Sequence, residues 1–278
     1  MPSRPAPSSR KKSPRRPGRP YTLDSLRARN IAALYDALRR KESGEPLVSI
    51  TASLSDSEKP NHLIIKRKWR TILPAWRTLS AVTKDLLRYL ALERIQATAF
   101  TIDLGNDLLA THSYGEVTSR NSLRNRVAKA LRAEFDEDVP FTFTMEVNRH
   151  GRLHLHGSVG ITHANRSRLM ACLQKAGGRW AHSGGHIHQV HLKDLYTPQV
   201  WHEYLTKGFR ASNPVRPKQA IAKSHSADRL AKALYEEMLD FLQDYASDLD
   251  AARVGYVASL DAESTRLISS FFRKRFGQ

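Results

Sequence analysis

Two histidines separated by a single residue, His154 and His156, have the spacing in this chain that best suits a metal site. They lie in an alternating apolar and polar segment, residues 153–160, which predicts a β-strand. Side chains two residues apart on a strand point to the same face, about 7 Å apart along it. Two imidazoles placed in this way can converge on one metal ion. A His-x-His pair alone is weak evidence, because most such pairs are ordinary surface or core histidines.

A carboxylate on the preceding strand strengthens the metal hypothesis. Residues 141–148 alternate in the same way and predict a strand that forms a hairpin with 153–160. A three-residue loop, 149–151, places Glu146 opposite His154, whereas a two-residue loop would place it opposite Leu155. Gly151 favours the three-residue loop with a bulge. We therefore expect Glu146 as the third ligand, with His150 as the alternative because it has the same strand parity.

A tyrosine and a lysine further along the chain could supply a nucleophile. Tyr204 and Lys207 lie one turn apart on a helix predicted over 198–207. A phenol attacks well only where a cation or a metal lowers its pKa, and Lys207 could provide that charge or bind a phosphate. The alternative is an interfacial aromatic next to a solvated lysine.

A second histidine cluster and two tryptophans can each be interpreted as functional or as structural. His186, His188 and His191 follow a Gly-Gly pair, and an imidazole cluster would suit Zn²⁺. We favour exposed or DNA-facing histidines there. Trp180 and Trp201 could stack on bases, but tryptophans at element edges more often belong to the core.

The elements that must position these residues alternate in type between residues 95 and 209. Their order is β-α-β-β-α-β-α, which predicts an α+β fold with a ferredoxin-like antiparallel sheet. Such a sheet carries helices on one face and leaves the other free for a substrate. The expected elements are strands over 97–104, 141–148, 153–160 and 186–192, and helices over 118–136, 164–176 and 198–207.

Composition indicates a polyanionic partner. The formal charge is +18 over 278 residues, of which +7 lies in the first 20 residues and +11 in the rest. A lone cysteine, Cys172, excludes an intramolecular disulfide and a multi-cysteine zinc site. No apolar run reaches the roughly 18 residues of a membrane span, which leaves nucleic acid or an acidic membrane surface as the polyanion. The motifs described above favour nucleic acid, so we expect no membrane partner. Around the 95–209 core we expect a disordered basic tail (1–22), a helical region (23–94), a basic linker (210–225) and C-terminal helices (226–278).

The motif order resembles a known superfamily. His-hydrophobic-His-Gly at 154–157, followed by Tyr-x-x-Lys at 204–207, is similar to the HUH endonucleases, and specifically to rolling-circle replication initiators. The Glu146 spacing resembles the glutamate variant of that pattern, and residues 99–102 lie where the first strand motif of the family falls. Conjugative relaxases usually place the nucleophile before the histidines, which favours the replication class. Tyr196 lies eight residues before Tyr204, so we expect a single-tyrosine enzyme.

The resemblance implies a complete activity. Glu146, His154 and His156 would hold Mg²⁺ or Mn²⁺, and Tyr204, assisted by Lys207, would nick single-stranded origin DNA. The products would be a 5′-phosphotyrosine and a free 3′-hydroxyl primer, in the cytoplasm of a bacterial host and alongside its helicase and polymerase. The alternatives are a non-catalytic ferredoxin-like nucleic-acid-binding module and a single-tyrosine transposase or relaxase.

Overall fold

The computed structural model describes residues 23–45, 73–148, 150–180, 188–206, 209 and 215–243. The predicted basic tail and Lys207 lie outside these ranges, as does most of the region predicted to form C-terminal helices. None of the helices within the described residues is long and apolar enough to cross a membrane.

The described chain is α+β, as predicted, and is built on one antiparallel sheet of five strands in the order β4-β1-β3-β2-β5. The strands are β1 (Thr98–Asp103), β2 (Phe141–Val147), β3 (Leu153–Val159), β4 (Val190–Asp194) and β5 (Ile221–Lys223). The helices are α1 (Leu23–Glu42), α2 (Ala81–Arg94), α3 (Asn106–Leu109), α4 (Val117–Phe135), α5 (Arg166–Gly177), α6 (Pro198–Thr206), α7 (Pro217–Ala220) and α8 (225–243).

Helices α4 and α5 cover one face of the sheet. In α4 the apolar residues Leu123, Val127 and Leu131 recur every four positions, so they form one buried stripe. This stripe packs against large side chains of the central strands, including Phe100 and Phe143, in the main hydrophobic core. The alternation in the strands places these apolar residues on the α4–α5 face and the polar residues on the other.

The second face is only partly open, which corrects the expectation of a free substrate face. Helix α2 crosses it, and the Thr142 hydroxyl on β2 donates a hydrogen bond to Asp85 on α2 (2.7 Å). Leu205 on α6 joins Leu92 on α2 and Ala99 on β1 in a separate buried cluster on this side. The apolar faces of α2 and α6 therefore have partners on the polar face of the sheet, and only part of that face remains accessible.

The flanking segments pack together and against the sheet. Buried side chains of α1, α2 and α8, among them Ile31, Leu87 and Tyr235, form one hydrophobic cluster. The predicted linker, 210–225, is wrong over its second half: residues 217–223 form α7 and β5, and β5 pairs with β2. The sequence pattern did not indicate β5 because three residues are too few to display an alternation.

Candidate active site

The β2–β3 hairpin has the register that the loop length predicted. Glu146 pairs with His154 and Thr144 pairs with His156. The Gly151 amide donates to the Asn148 carbonyl (3.0 Å), and the Asn148 amide donates to the Arg152 carbonyl (2.9 Å). Gly151 has a φ of +76°, the left-handed conformation expected for a bulge after a tight turn. The three-residue loop therefore places the carboxylate on the same face as both imidazoles.

Glu146, His154 and His156 form the group that could hold a metal ion within the described residues. The two Nε2 atoms are 2.9 Å apart. Glu146 Oε2 lies 3.4 Å from His156 Nε2 and 3.8 Å from His154 Nε2. Three ligand atoms from two adjacent strands thus converge on one point.

Two residues of β1 hold the far nitrogens of the imidazoles. Thr101 Oγ1 lies 2.8 Å from His156 Nδ1, and Asp103 Oδ1 lies 3.6 Å from His154 Nδ1. Their positions follow from the register, because Thr101 pairs with His156 and Asp103 with His154. Such contacts fix the ring orientation and direct Nε2 toward the metal position.

Sequence reasoning gave neither β1 residue a role in the site. The available signal was parity: Thr101 and Asp103 are the polar positions on one face of β1, whereas Thr98, its other polar residue, has the opposite parity. That signal becomes informative only when β1 is known to be the neighbour of β3.

The acidic surroundings change the proton affinity of the site. Burial disfavours the charged imidazole of His154, but contacts with Asp103 and Glu146 outweigh this effect and raise its pKa to about 9. The same polar contact with His154 lowers the pKa of Asp103 against the opposing effect of burial. In the metal-free protein His154 therefore keeps a proton at neutral pH, and a divalent cation must displace it to bind Nε2.

The tyrosine from α6 lies next to the histidines. The Tyr204 ring is 5.8 Å from the His156 ring between centroids and is perpendicular to it, at 88°. Trp201, one turn earlier, stacks on Tyr204 at the same distance and also contacts His156 edge-on. Tyr204 is 45% exposed, so its phenol is accessible from solvent.

A cleft of about 560 Å³ opens beside these rings, between β4, β1 and α6. His156 and Tyr204 line it, together with Lys193 and Tyr196. The Tyr196 hydroxyl donates to Asp194 Oδ2 (2.6 Å). Because His156 and Tyr204 line the same cleft, one ligand in it can contact both.

The remaining candidates lie outside the metal-ligating group or outside the described chain, although His191 lines the same cleft as His156 and Tyr204. His150 is exposed in the hairpin turn and is not in the metal-ligating group. Lys207 and His186 lie outside the described residues, and His188 and His191 form no metal-ligating group within them. Trp180 lies under the Arg152 guanidinium, 4.3 Å from its ring centroid, and not in the cleft.

The glycine after the second histidine is required by packing. A Cβ at Gly157 would lie 2.3 Å from the Thr142 carbonyl oxygen and 2.6 Å from the Phe100 ring. Glycine at this position therefore allows β3 to pack between its neighbours, which keeps His156 in register with Thr101.

Comparison with known proteins gives no match: no family model, no curated protein and no solved structure is similar to this chain.

Proposed function

We propose that the protein is a metal-dependent endonuclease that nicks single-stranded DNA with Tyr204 as the nucleophile. The observation that carries the proposal is the position of the Tyr204 ring, 5.8 Å from the ring of His156, which belongs to the Glu146–His154–His156 group. A metal-ligating group alone fits many functions. A solvent-accessible phenol in the same cleft adds a nucleophile to it.

The donor set fits a divalent cation. One carboxylate oxygen and two imidazole nitrogens lie within 4.8 Å of one another, and the far nitrogens contact Thr101 and Asp103. Carboxylates suit Mg²⁺ and Mn²⁺, while the two imidazoles favour Mn²⁺ of this pair. When bound, such an ion would polarise the scissile phosphate and stabilise its developing charge.

Tyr204 would make the covalent bond. Its phenol loses its proton and the oxygen attacks phosphorus, so that a phosphotyrosine ester forms as the bond between phosphorus and the 3′-oxygen breaks. The 3′-oxygen takes up a proton and becomes a free hydroxyl. The number of phosphate ester bonds is unchanged, so no nucleotide cofactor is needed and the step is reversible. Lys207, three residues further on, would bind phosphate or favour the phenolate.

We infer that the protein is a rolling-circle replication initiator of plasmid or phage type. The inference rests on the order of the strands and on the position of the tyrosine after the histidines. The antiparallel sheet of five strands, in the order β4-β1-β3-β2-β5, is compatible with a ferredoxin-like core that carries an additional edge strand, and we include that core in the proposal. The tyrosine follows the histidines, as in the replication class of the HUH endonucleases. This role implies origin DNA as substrate, the bacterial cytoplasm as location, and a helicase and a polymerase of the host as users of the 3′-hydroxyl.

The direction of cleavage provides the test. A random-sequence single-stranded library is incubated with the full chain and Mn²⁺ and run on a denaturing protein gel. Because the protein would retain the 5′-phosphate, a label on the 3′ end should become protein-linked. A label on the 5′ end should be released on a fragment that a polymerase can extend.

Tyr204→Phe should abolish the adduct, and EDTA should do so as well. Tyr196→Phe is the matched control, because Tyr196 lines the same cleft and should be dispensable. An adduct that survives in Tyr204→Phe would contradict the assignment of the nucleophile. DNA binding without any adduct would favour the non-catalytic module. Adducts enriched in hairpin ends of a mobile element would favour the transposase.

A further inference from the structure

A second cavity, of about 360 Å³, lies at the β5 edge of the sheet and is lined with cationic side chains. It is formed by the segment before α2, the first two turns of α2, the first turn of α4, α7 and β5. Six of its lining residues are basic and none is acidic: Arg77, Lys84, Arg88, Arg120, Lys218 and Lys223. These residues are distant in sequence, so the fold itself concentrates the charge.

Only part of this charge is neutralised within the described residues. Arg88 is paired with Asp85 (3.2 Å) and Asp228 (2.8 Å). Lys223 also pairs with Asp228. The described ion pairs include none for the other four cationic residues of the cavity, Arg77, Lys84, Arg120 and Lys218. The cavity therefore has a surplus of positive charge that a ligand with several negative charges would neutralise.

The cations also affect one another. Burial lowers the pKa of Lys84, and the charges of Lys223, Arg88 and Lys218 lower it further, although the charge of Asp228 offsets part of this effect. Lys84 is half-buried, and its ammonium lies 3.5 Å from the Arg77 carbonyl oxygen. An anion in the cavity would relieve this repulsion, and binding would be favoured accordingly.

The lining indicates which part of a nucleic acid would bind. No aromatic residue lines the cavity, although the Trp76 ring lies 5.4 Å from the Lys84 ammonium, so the lining favours phosphate contacts over base stacking on aromatic rings. Lysine and arginine side chains bind phosphate oxygens without regard to sequence. Lys223 pairs with Thr142, and Glu146 lies four residues further along β2, so about 13 Å of strand separates the cavity from the metal-ligating group.

We propose that this cavity is a second nucleic-acid contact, which binds backbone phosphates of the DNA independently of the metal-ligating group. It goes beyond the proposed nicking activity, since binding there requires neither a metal ion nor Tyr204. Its role is to hold a flanking part of the single strand against the body of the protein.

The test uses two lysines that take no part in a described ion pair. Lys84→Gln/Lys218→Gln removes two charges from the cavity and leaves the Arg88–Asp228 pair intact. Lys129→Gln/Lys175→Gln removes two exposed lysines from α4 and α5 as the matched control. Binding of a fluorescent single-stranded 30-mer to the full chain is measured in EDTA over a range of salt concentrations, after thermal melts have established that each variant is folded.

The cavity variant should bind about tenfold more weakly at ~0.1 M salt. Its slope of log K against log salt should be shallower by about 1.4, or about 0.7 for each lost phosphate contact. The control should change affinity less than twofold. Equal losses in both variants would overturn the proposal, because they would indicate a diffuse charge effect. Tight binding of pyrophosphate, lost in the cavity variant while oligonucleotide binding is unchanged, would also overturn it.

A covalent-adduct assay on the same variants separates this proposal from the nicking hypothesis. If Tyr204 forms no adduct but the cavity variant binds DNA more weakly than the control, the cavity proposal is supported and the nicking hypothesis is contradicted. If adducts form normally and both variants bind DNA equally well, the cavity proposal is contradicted and the nicking hypothesis is supported.

Discussion

Each histidine of the site lies in a row of polar side chains that runs across the strands. His154 has Asp103 on one side and Glu146 on the other, so its imidazole lies between two carboxylates. His156 lies between Thr101 and Thr144 in the next row. The first row supplies negative charge, and the second supplies a hydroxyl that fixes a ring. The two histidines therefore depend on different neighbours for their orientation.

The Thr101 hydroxyl should matter for metal affinity although it is too far back to be a ligand. Thr101→Val keeps the shape of the side chain and removes the contact with His156 Nδ1 (2.8 Å). Loss of such a contact typically weakens metal binding by about 10- to 100-fold, because the ring no longer has a fixed orientation. Titration calorimetry with Mn²⁺ on the full chain measures the effect.

Thr144→Val is the matched control for this prediction. Thr144 faces His156 from the other side and is buried, whereas Thr101 is half-buried, and the Thr144 hydroxyl makes no hydrogen bond to His156 within the described residues. Its substitution should leave Mn²⁺ affinity within about threefold of the wild type. An equal loss in both variants would indicate that packing around His156, and not the Thr101 hydroxyl, orients the ring.

At the scale of elements, the hairpin turn determines whether the site exists at all. A one-residue slip would place Leu155 opposite Glu146 and turn the carboxylate away from the histidines. Asn148 fixes the turn, since its Oδ1 accepts from the amides of His150 (2.9 Å) and Arg152 (3.0 Å). Gly151 completes it in the left-handed conformation.

Gly151→Ala should destabilise the protein by about 1 kcal/mol, and Gly151→Asn by less. A Cβ at this position meets no atom within 4 Å, so the cost is backbone strain alone, which asparagine tolerates better than alanine. Urea denaturation measures the difference. Metal affinity should be retained in both variants, because the rest of the hairpin pairing is unchanged. An alanine variant as stable as the wild type would rule out strain at Gly151 as the determinant of the turn.

Local patterns were sufficient to predict this hairpin and its partner helices. Loop parity placed Glu146 opposite His154, and the four-residue apolar period located α4. A strand was expected at 186–192, whereas β4 spans residues 190–194. The histidines alternate along the sequence as regularly as the buried residues of the strand do, so the alternation did not indicate where the strand begins. The short helix α3 lies in what was expected to be loop.

At the scale of the whole molecule, the packing of α2 on the sheet was not predictable from local pattern. The charges Asp85 and Arg88 lie on the buried side of α2, and their partners Thr142 and Asp228 are 57 and 140 residues away along the chain. No periodicity connects such residues, so the sequence suggested a free sheet face where α2 lies. The same contacts join the regions before and after the predicted core into one structure.

This network should carry a large share of the stability of the molecule. The side chains of Asp85 and Arg88 are 0% and 3% exposed, so Arg88→Met leaves a buried carboxylate without its cation and should cost about 3–5 kcal/mol in urea denaturation. Arg94→Met is the control: Arg94 is on the same helix and joins Glu42 of α1 to Glu237 of α8, but its side chain is 32% exposed. Solvent screens such pairs, and the loss should be about 1 kcal/mol or less. Similar losses in the two variants would mean that the contacts between helices, and not the burial of the charge, determine how firmly α2 is held on the sheet.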